Sequence, residues 1–401
     1  MSGPGTAERL RTISALGIVQ IFAWGSTFYL LAVLVAPIRD ETGWSAGAVT
    51  AGISVGLLAS GLSARKVGAL IHAGGGRRVL AAGVALLAAG LAVLGLARSL
   101  PAYYAAWTIL GFGMAASLYD AAFSTLGHIY GRNARSAITA LTLWGGFAST
   151  VCWPISAFLV ETVGWRGACF AYAGLHLAVT LPLCRFALPG HPLQPDRPMP
   201  ADAVAALPPN GFSALRFWCI AVAGMTIGVL MSIWSIHLIS ILTAQGHGFA
   251  AAVGLGTLIG PAQVGARVLE MLGRERHHPI WTMFAATSLV LIGFMGLSLG
   301  VPASVALIAY GAGNGLWSIA RGALPLAVFG PHDYPRIMGR LATPMLIAAA
   351  VAPIPGAFLV ETYGPHGTLL VLAAAAVIPW IAAMVLWLDL AKERRAASGQ
   401  P

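Results

Sequence analysis

AFLVETVGWRG at residues 157–167 returns as AFLVETYGPHG at residues 357–367, with eight identities in eleven positions at an offset of 200. The same offset carries Gly111 and Gly113 onto Gly311 and Gly313. Similarity at one long, fixed spacing marks a duplicated structural unit, so the chain reads as two copies of one architecture. Between the copies lies LPGHPLQPDRPMPADAVAALPPNG, residues 188–211, with seven prolines. Proline at this density excludes a helix and reads as a semi-rigid connector. The expected organisation is therefore a first unit over 1–187, a linker over 188–212 and a second unit over 213–401.

Composition says what solvent the copies live in. Of 401 residues, 58% are hydrophobic and 9% charged, against about a quarter charged in a soluble domain. So few charges cannot cover a water-facing surface, and a mean hydropathy of +0.81 points to the bilayer. Runs of the roughly 20 apolar residues that a spanning helix needs fall at about 13–38, 46–66, 79–99, 102–127, 136–160, 166–187, 217–243, 249–272, 280–300, 303–327, 338–360 and 367–390. Each copy supplies six, and the expected class is an all-α integral membrane protein. No alternation of the β-barrel kind occurs. The first run is too long for the apolar part of a secretion signal and has no small-residue cleavage site, so it is expected to stay as a span.

The arginines set the orientation. Cytoplasmic loops of membrane proteins collect Lys and Arg. With the N-terminus inside, 20 of the 23 basic residues fall on the inner side, leaving Arg39, Arg98 and Arg166 outside. Both termini are thus expected in the cytoplasm. The net charge of +10 becomes a cytoplasmic rim instead of a nucleic-acid surface, and no nucleic-acid partner is expected. The cysteines, Cys152, Cys169, Cys184 and Cys219, sit in apolar runs without CxxC or Cys/His spacing, so they read as reduced packing residues and no metal site is expected.

Two parallel six-helix repeats joined by a cytoplasmic linker resemble the major facilitator superfamily over essentially the whole chain. That family's loop between spans two and three has the form G-x-x-x-D-R-x-G-x-R. The stretch VGALIHAGGGRRVL supplies Gly68, Gly75, Arg77 and Arg78 in register, with His72 and Ala73 where Asp and Arg stand in the family. The resemblance makes these the gating loop; the Asp-Arg pair of the usual charge latch is missing, and His72 reads either as a plain loop histidine or as a pH-sensitive replacement for it. In the second copy, GPAQVGARVLEMLGRERHHP can be set with Glu270 at the acidic position or with Glu275 and Arg276 at the Asp-Arg pair. The latter keeps both charges and is preferred.

A narrower resemblance is to the monocarboxylate porters and their oxalate/formate relatives. That branch carries D-x-x-x-R on span eight, its Arg binding the substrate carboxylate; here the residues are Gln263 and Arg267. Tyr130, Arg135 and Gly145 follow the branch's pattern from span four into five, whereas its first-span acidic and lysine residues are absent from IFAWGSTFYLL. The drug/proton antiporter mark, G-x-x-x-G-P-x-x-G-G on span five, does not fit GGFASTVCWPISAFL.

Four charges are embedded in apolar spans: Asp120, Arg267, Glu270 and Arg321. An ionisable group at the bilayer centre costs about 2.5–3.5 kcal/mol on insertion scales, so each needs a partner or a wet cavity. Asp120 and Arg321 are 201 apart, one residue from repeat equivalence, and are expected at similar depth on spans four and ten. The expectation is that Arg267 and Arg321 attract an organic anion while Asp120 titrates or forms a breakable pair with Arg321. Glu270, three residues beyond Arg267, is expected as its local partner.

Trp24, Thr27, Tyr29, Tyr119, Trp234, His237, Asn314 and Trp317 lie on spans one, four, seven and ten, which line the cavity in the family. They are softer substrate-binding or coupling candidates. His277 and His278 are expected in a solvated loop, and the duplicated Glu161 and Glu361 are expected to be structural.

No enzyme is expected. GISVG at Gly52–Gly56 matches the hydrolase string G-x-S-x-G, but it sits in an apolar helical run and not on a strand-to-helix turn. Neither a nucleotide-binding loop nor a zinc motif occurs, so no cofactor is expected. The partners read from the sequence are a small-molecule substrate, the lipid bilayer and a co-transported proton or ion, at the inner (plasma) membrane. The leading reading is a carrier of a carboxylate-type anion, and the alternative is efflux of a drug, metalloid or other toxic small molecule.

Overall fold

The computed structural model of the chain describes residues 6–189, 213–273 and 276–398, and among these every regular element is helical. Lipid cannot hydrogen-bond the backbone, so each segment must satisfy its own amides. By length and apolar character seven helical stretches can cross a membrane: Ala7–Thr42, Ala46–Gly74, Gly76–Leu96, Leu100–Ala187, Ala214–Ser235, Pro279–Ser298 and Pro353–Glu393. The sequence leads one to expect twelve spans. Leu100–Ala187 and Pro353–Glu393 each run through several helices, and the expected runs at 249–272 and 303–327 are not among the seven.

The chain divides into two compact units, Met1–Pro208 with Phe329–Ala350 and Pro209–Val328 with Val351–Pro401. The first unit opens with α1 (Thr6–Trp24), a π-helical segment (Gly25–Tyr29) and α2 (Leu30–Thr42). It continues through α3 (Ala46–Gly74), α4 (Gly76–Leu96), α5 (Leu100–Ser117), α6 (Tyr119–Tyr130), α7 (Ala134–Gly146) and α8 (Ala148–Leu175), then a second π-helical segment (His176–Thr180) and a third (Leu183–Ala187). Starts follow from local chemistry. Ser45 accepts a hydrogen bond from the Ala48 amide at 3.2 Å, and Ser99 from the Ala102 amide at 3.5 Å with Pro101 in the first turn, each satisfying an orphan donor.

Small residues let the helices meet. A Cβ on Gly111 would overlap the Gly56 carbonyl oxygen, and one on Gly113 would stand 2.9 Å from the Leu87 amide nitrogen. These two glycines press α5 against α3 on one side and α4 on the other. Around them Tyr103, Trp107, Leu110, Met114, Leu87 and Leu91 form the buried core with Leu34, Ile38 and Val49.

The second unit takes α9 (Ala214–Ala244), α10 (Phe249–Gly256), α11 (Ile259–Leu272), α12 (Pro279–Ser298) and α13 (Ala303–Phe329), followed after α14 (Tyr334–Val351) by α15 (Pro353–Ala375) and α16 (Val377–Ser398). Its packing repeats that of the first. A Cβ on Gly311 would lie 2.7 Å from the Ile259 carbonyl of α11, and one on Gly313 would lie 2.7 Å from the Ala286 carbonyl of α12. Trp234, Phe294 and Tyr310 form its aromatic centre, with ring centroids 5.3–5.9 Å apart. Arg216 ties α9 to α16 through Asp389 and Glu393, both at 2.6 Å.

α14 belongs with the first unit. Gly68 of α3 meets the Pro335 carbonyl so closely that a Cβ would overlap it, and Gly127 of α6 meets the Tyr334 ring likewise. A Cβ on Gly339 would stand 2.5 Å from the Ala64 carbonyl.

The duplicated stretch explains its own likeness. Gly164 has φ +71° and Gly364 φ +66°, with ψ of 172° and 178°, a conformation only glycine adopts without cost. The residues that follow differ. Arg166 donates through Nε to Glu41 at 2.9 Å and through Nη1 to the Gly95 and Ala97 carbonyls at 2.8 and 2.7 Å. Trp165 donates to the other Glu41 oxygen at 2.6 Å. This fastens the ends of α2, α4 and α8 to one another. The second copy has Pro365 and His366 at these places.

Two outcomes follow for purified protein in detergent. Gly113→Leu places a side chain against the α4 backbone and costs about 1–3 kcal/mol of overpacking, read as loss of a monodisperse peak and a lower unfolding temperature. Gly47→Ala, which meets nothing within 4 Å, leaves both unchanged. Arg166→Ala leaves the Glu41 carboxylate with Trp165 alone, removes the donor from two carbonyl groups and lowers the unfolding temperature, whereas His366→Ala does not.

Candidate functional site

In the first unit the site is built on two interruptions. The helix that would have continued from α5 into α6 breaks at Leu118, where ψ reaches −171°. The break leaves carbonyl groups without intrahelical donors. Gln20 of α1, fully buried, donates through Nε2 to the Ser117 carbonyl at 2.7 Å. Trp24 lies one turn further along α1 and packs on Tyr119 at 5.3 Å and Phe28 at 4.9 Å, while Tyr119 stacks on Phe123 at 5.0 Å. Asp120 is half-buried in the first turn of α6, where the helix dipole favours a carboxylate.

Thus Trp24 of α1 meets Tyr119, the neighbour of Asp120 in the first turn of α6. Tyr29 is not among them. It ends the π-helical segment, edge-on to Trp153 at 5.8 Å, and its carbonyl accepts the Trp153 indole N–H at 3.2 Å.

Gln20 and His176 are the neutral residues that sequence reasoning passed over. His176 is fully buried and bonded on both ring nitrogens, to Ser26 and Thr180, each at 2.8 Å. The available signal was a polar side chain inside an apolar run, the same signal that marks Asp120 and Arg321, without the charge.

The loop after α3 holds the gating candidates. Gly68 is wedged on the Pro335 backbone, Gly75 turns the chain at φ +77°, and Arg77 and Arg78 enter the first turn of α4. His72 meets the ring of His332 edge-on at 5.5 Å. His332 in turn adjoins Asp333 at 3.5 Å, which also pairs with Arg336 at 3.5 Å.

In the second unit, α11 and α13 touch through backbone. A Cβ on Gly315 would overlap the Gln263 carbonyl. One turn along α11, Arg267 is only 6% exposed, and its Nε donates to the Gly315 carbonyl at 3.4 Å, an oxygen that Ser318 also uses at 2.6 Å. Gln263, Arg267 and the buried Asn314 are therefore neighbours across one helix contact. Trp317 is buried and Arg321 half-buried further along α13. His237 is half-buried on α9, one turn past Trp234, which belongs to the aromatic core.

Glu270 has partners that its spacing from Arg267 does not suggest. It accepts from Thr282 at 2.7 Å and bonds His277 at 3.1 Å. The loop histidines are engaged and not merely solvated, because His278 also caps α12 by accepting from the Ile280 amide at 3.2 Å. Arg276 is exposed. Glu275 lies outside the described residues, so the preferred second-copy latch has its acidic member there.

Two units of repeated helices, closely packed through glycine and carrying charges within apolar stretches, are those of a multi-pass membrane protein. The sequence pattern of the Major Facilitator Superfamily matches residues 16–332, and the chain belongs to that superfamily, whose members are membrane transporters. It is 32% identical over 180 residues to monocarboxylate transporter 11 of Mus musculus, a stretch that covers 44% of this chain and 40% of that protein. The chain thus matches less than half the length of that relative.

Among solved structures, the human organic anion transporter MFSD10 (TETRAN) has the same fold at a TM-score of 0.72 and 16% identity, covering 95% of this chain and 100% of that one. The proton:xylose symporter XylE matches at a TM-score of 0.75 and 13% identity, covering 96% of each. At such identities the likeness is one of fold. The family and these neighbours are transporters, not enzymes.

Gln20→Leu tests how the broken helix is held. It leaves the buried Ser117 carbonyl without its donor, which costs about 1–3 kcal/mol, seen as a lower unfolding temperature of the purified protein.

Proposed function

We propose that the chain is a twelve-span carrier of small carboxylate-type anions that works by alternating access in the inner (plasma) membrane. In this reading both termini are cytoplasmic, and two six-helix sequence repeats, 1–187 and 213–401, are joined by the linker 188–212, with α14 of the second repeat packed in the first unit. The 20-to-3 division of basic residues supports the orientation.

The observation that carries the substrate class is Arg267. A guanidinium at 6% exposure, within an apolar helix and held at a backbone carbonyl, is expensive to keep in lipid, at about 2.5–3.5 kcal/mol on insertion scales. A planar cation with five donors is suited to grip a carboxylate by two parallel hydrogen bonds. Arg321 adds a second positive charge on α13, and Gln263 and Asn314 supply neutral donors near Arg267. The names of the mouse relative, a monocarboxylate transporter, and of the human organic anion transporter support the same class.

Asp120 is assigned to coupling. A carboxylate within a span can carry a proton through the membrane when its surroundings alternate, and XylE is described as a proton symporter. His72, Gly68, Gly75, Arg77, Arg78, Glu270, Glu275 and Arg276 are assigned to gating. Trp24, Tyr29, Tyr119 and His237 complete the proposed substrate-binding and coupling set.

Transport of radiolabelled propionate into liposomes containing equal amounts of folded protein tests these roles. Arg267→Lys and Arg321→Lys, which keep the charge but lose the planar fork, are expected to lower uptake by about tenfold or more. Asp120→Asn is expected to abolish accumulation driven by a proton gradient while leaving exchange at equal pH. Undiminished uptake in all three variants would overturn the assignment, and thermal stabilisation by cationic drugs alone would favour drug efflux.

A further inference from the structure

Two of the three π-helical segments of the first unit, Gly25–Tyr29 and His176–Thr180, are joined to each other by one buried side chain. His176 opens the second segment, and its Nε2 lies 2.8 Å from Oγ of Ser26, the second residue of the first. Its Nδ1 lies 2.8 Å from Thr180 Oγ1, and Thr180 Oγ1 also lies 3.2 Å from the His176 carbonyl. All three side chains are at most 1% exposed.

The hydrogen positions follow from this geometry. A carbonyl can only accept, so the Thr180 hydroxyl proton goes to the His176 carbonyl. Thr180 Oγ1 is then left to accept from Nδ1–H. With its proton on Nδ1, the neutral ring offers Nε2 as a lone pair, and Ser26 donates to it. Every group in the chain Ser26, His176, Thr180 is satisfied in one arrangement.

What that arrangement holds is a register. A π-helical turn contains one residue more than an α-turn, and one residue corresponds to about 100° of rotation in an α-helix. The Gly25–Tyr29 segment therefore sets how α2 is rotated relative to α1. The neighbourhood is shaped to it: a Cβ on Gly25 would overlap the side chain of Cys152, and Thr27 is fully buried with its hydroxyl on the Ala23 carbonyl at 2.6 Å.

We infer that His176 is a positioning residue for transport: by holding Ser26 it keeps the Gly25–Tyr29 segment in π register and so fixes which faces Trp24, Thr27 and Tyr29 present. The inference rests on the proposed carrier function only for its uptake readout. Its structural readout needs no substrate.

Thr27→Cys supplies that readout through maleimide labelling, with the site assigned by peptide mass. The four native cysteines are all buried, and the otherwise unmodified chain is the baseline. With His176 present, residue 27 is expected to be protected. His176→Gln keeps an acceptor near the Nε2 position and retains protection. His176→Asn keeps only the donor to Thr180, loses the Ser26 bond and labels at residue 27 about tenfold faster or more, as a helix rotated by one residue requires.

The combined variant Ser26→Ala, His176→Phe, Thr180→Val removes every polar member, which keeps stability near that of the parent because no partner is left unpaired. It is expected to fold and still to label at residue 27. In liposomes the KM for propionate is expected to rise about tenfold with a smaller change in maximal rate for His176→Asn, and to return for His176→Gln. Protection of residue 27 in His176→Asn, or equal behaviour of the Asn and Gln variants, overturns the inference. If the combined variant does not fold, the Asn and Gln pair decides alone. If propionate is not transported by the parent protein, the carrier reading fails while the labelling result still stands or falls by itself.

Discussion

Lipid gives two helices no gain from burying apolar surface against each other, so their association rests on close contact and on the few polar groups within reach. In this chain the contact is made where backbone meets backbone. Gly111 and Gly113 let α5 lie on α3 and α4, and Gly311 and Gly313 repeat this for α13 on α11 and α12. Such a contact fixes the depth of one helix against another to a fraction of a turn. Every polar side chain on those helices inherits its place from it: Arg267 finds the Gly315 carbonyl because α11 and α13 touch at Gln263 and Gly315.

The duplication is kept where it bears on folding and dropped where it would constrain function. Gly164 and Gly364 adopt one conformation, as the shared turn demands. The helix at Leu118 is broken, whereas α13 runs from Ala303 to Phe329 without interruption. Only the first copy has the Arg166 clamp on Glu41. The two units therefore carry different polar equipment on the same scaffold, an aromatic and carboxylate group in the first and a buried guanidinium in the second.

The scaffold was legible in the sequence because it is written in local and periodic features: the offset of 200, the paired glycines and the apolar runs; the proline-rich connector lies almost wholly outside the described residues. The embedded charges were legible because a charge in an apolar run is conspicuous. The polar network was not. Whether Gln20 reaches Ser117, or His176 reaches Ser26, depends on how far one helix has rotated against another, and neither spacing nor composition carries that. Glu270 shows the same limit, since its spacing points only to Arg267 on its own helix, whereas Thr282 and His277, beyond the following turn, also bond it. The π-helical segments likewise have no periodic signal, being single-residue departures inside otherwise apolar helices.

The central claim is that a superfamily scaffold has been fitted, by the guanidinium of Arg267, to small organic anions. The most direct measurement is competition for uptake into liposomes bearing the purified protein, with propionate as the labelled solute. The account predicts saturable uptake that unlabelled short-chain carboxylates suppress and that hexoses and cationic dyes do not. Saturable uptake of a hexose or a cationic dye, with no uptake of propionate, would contradict it.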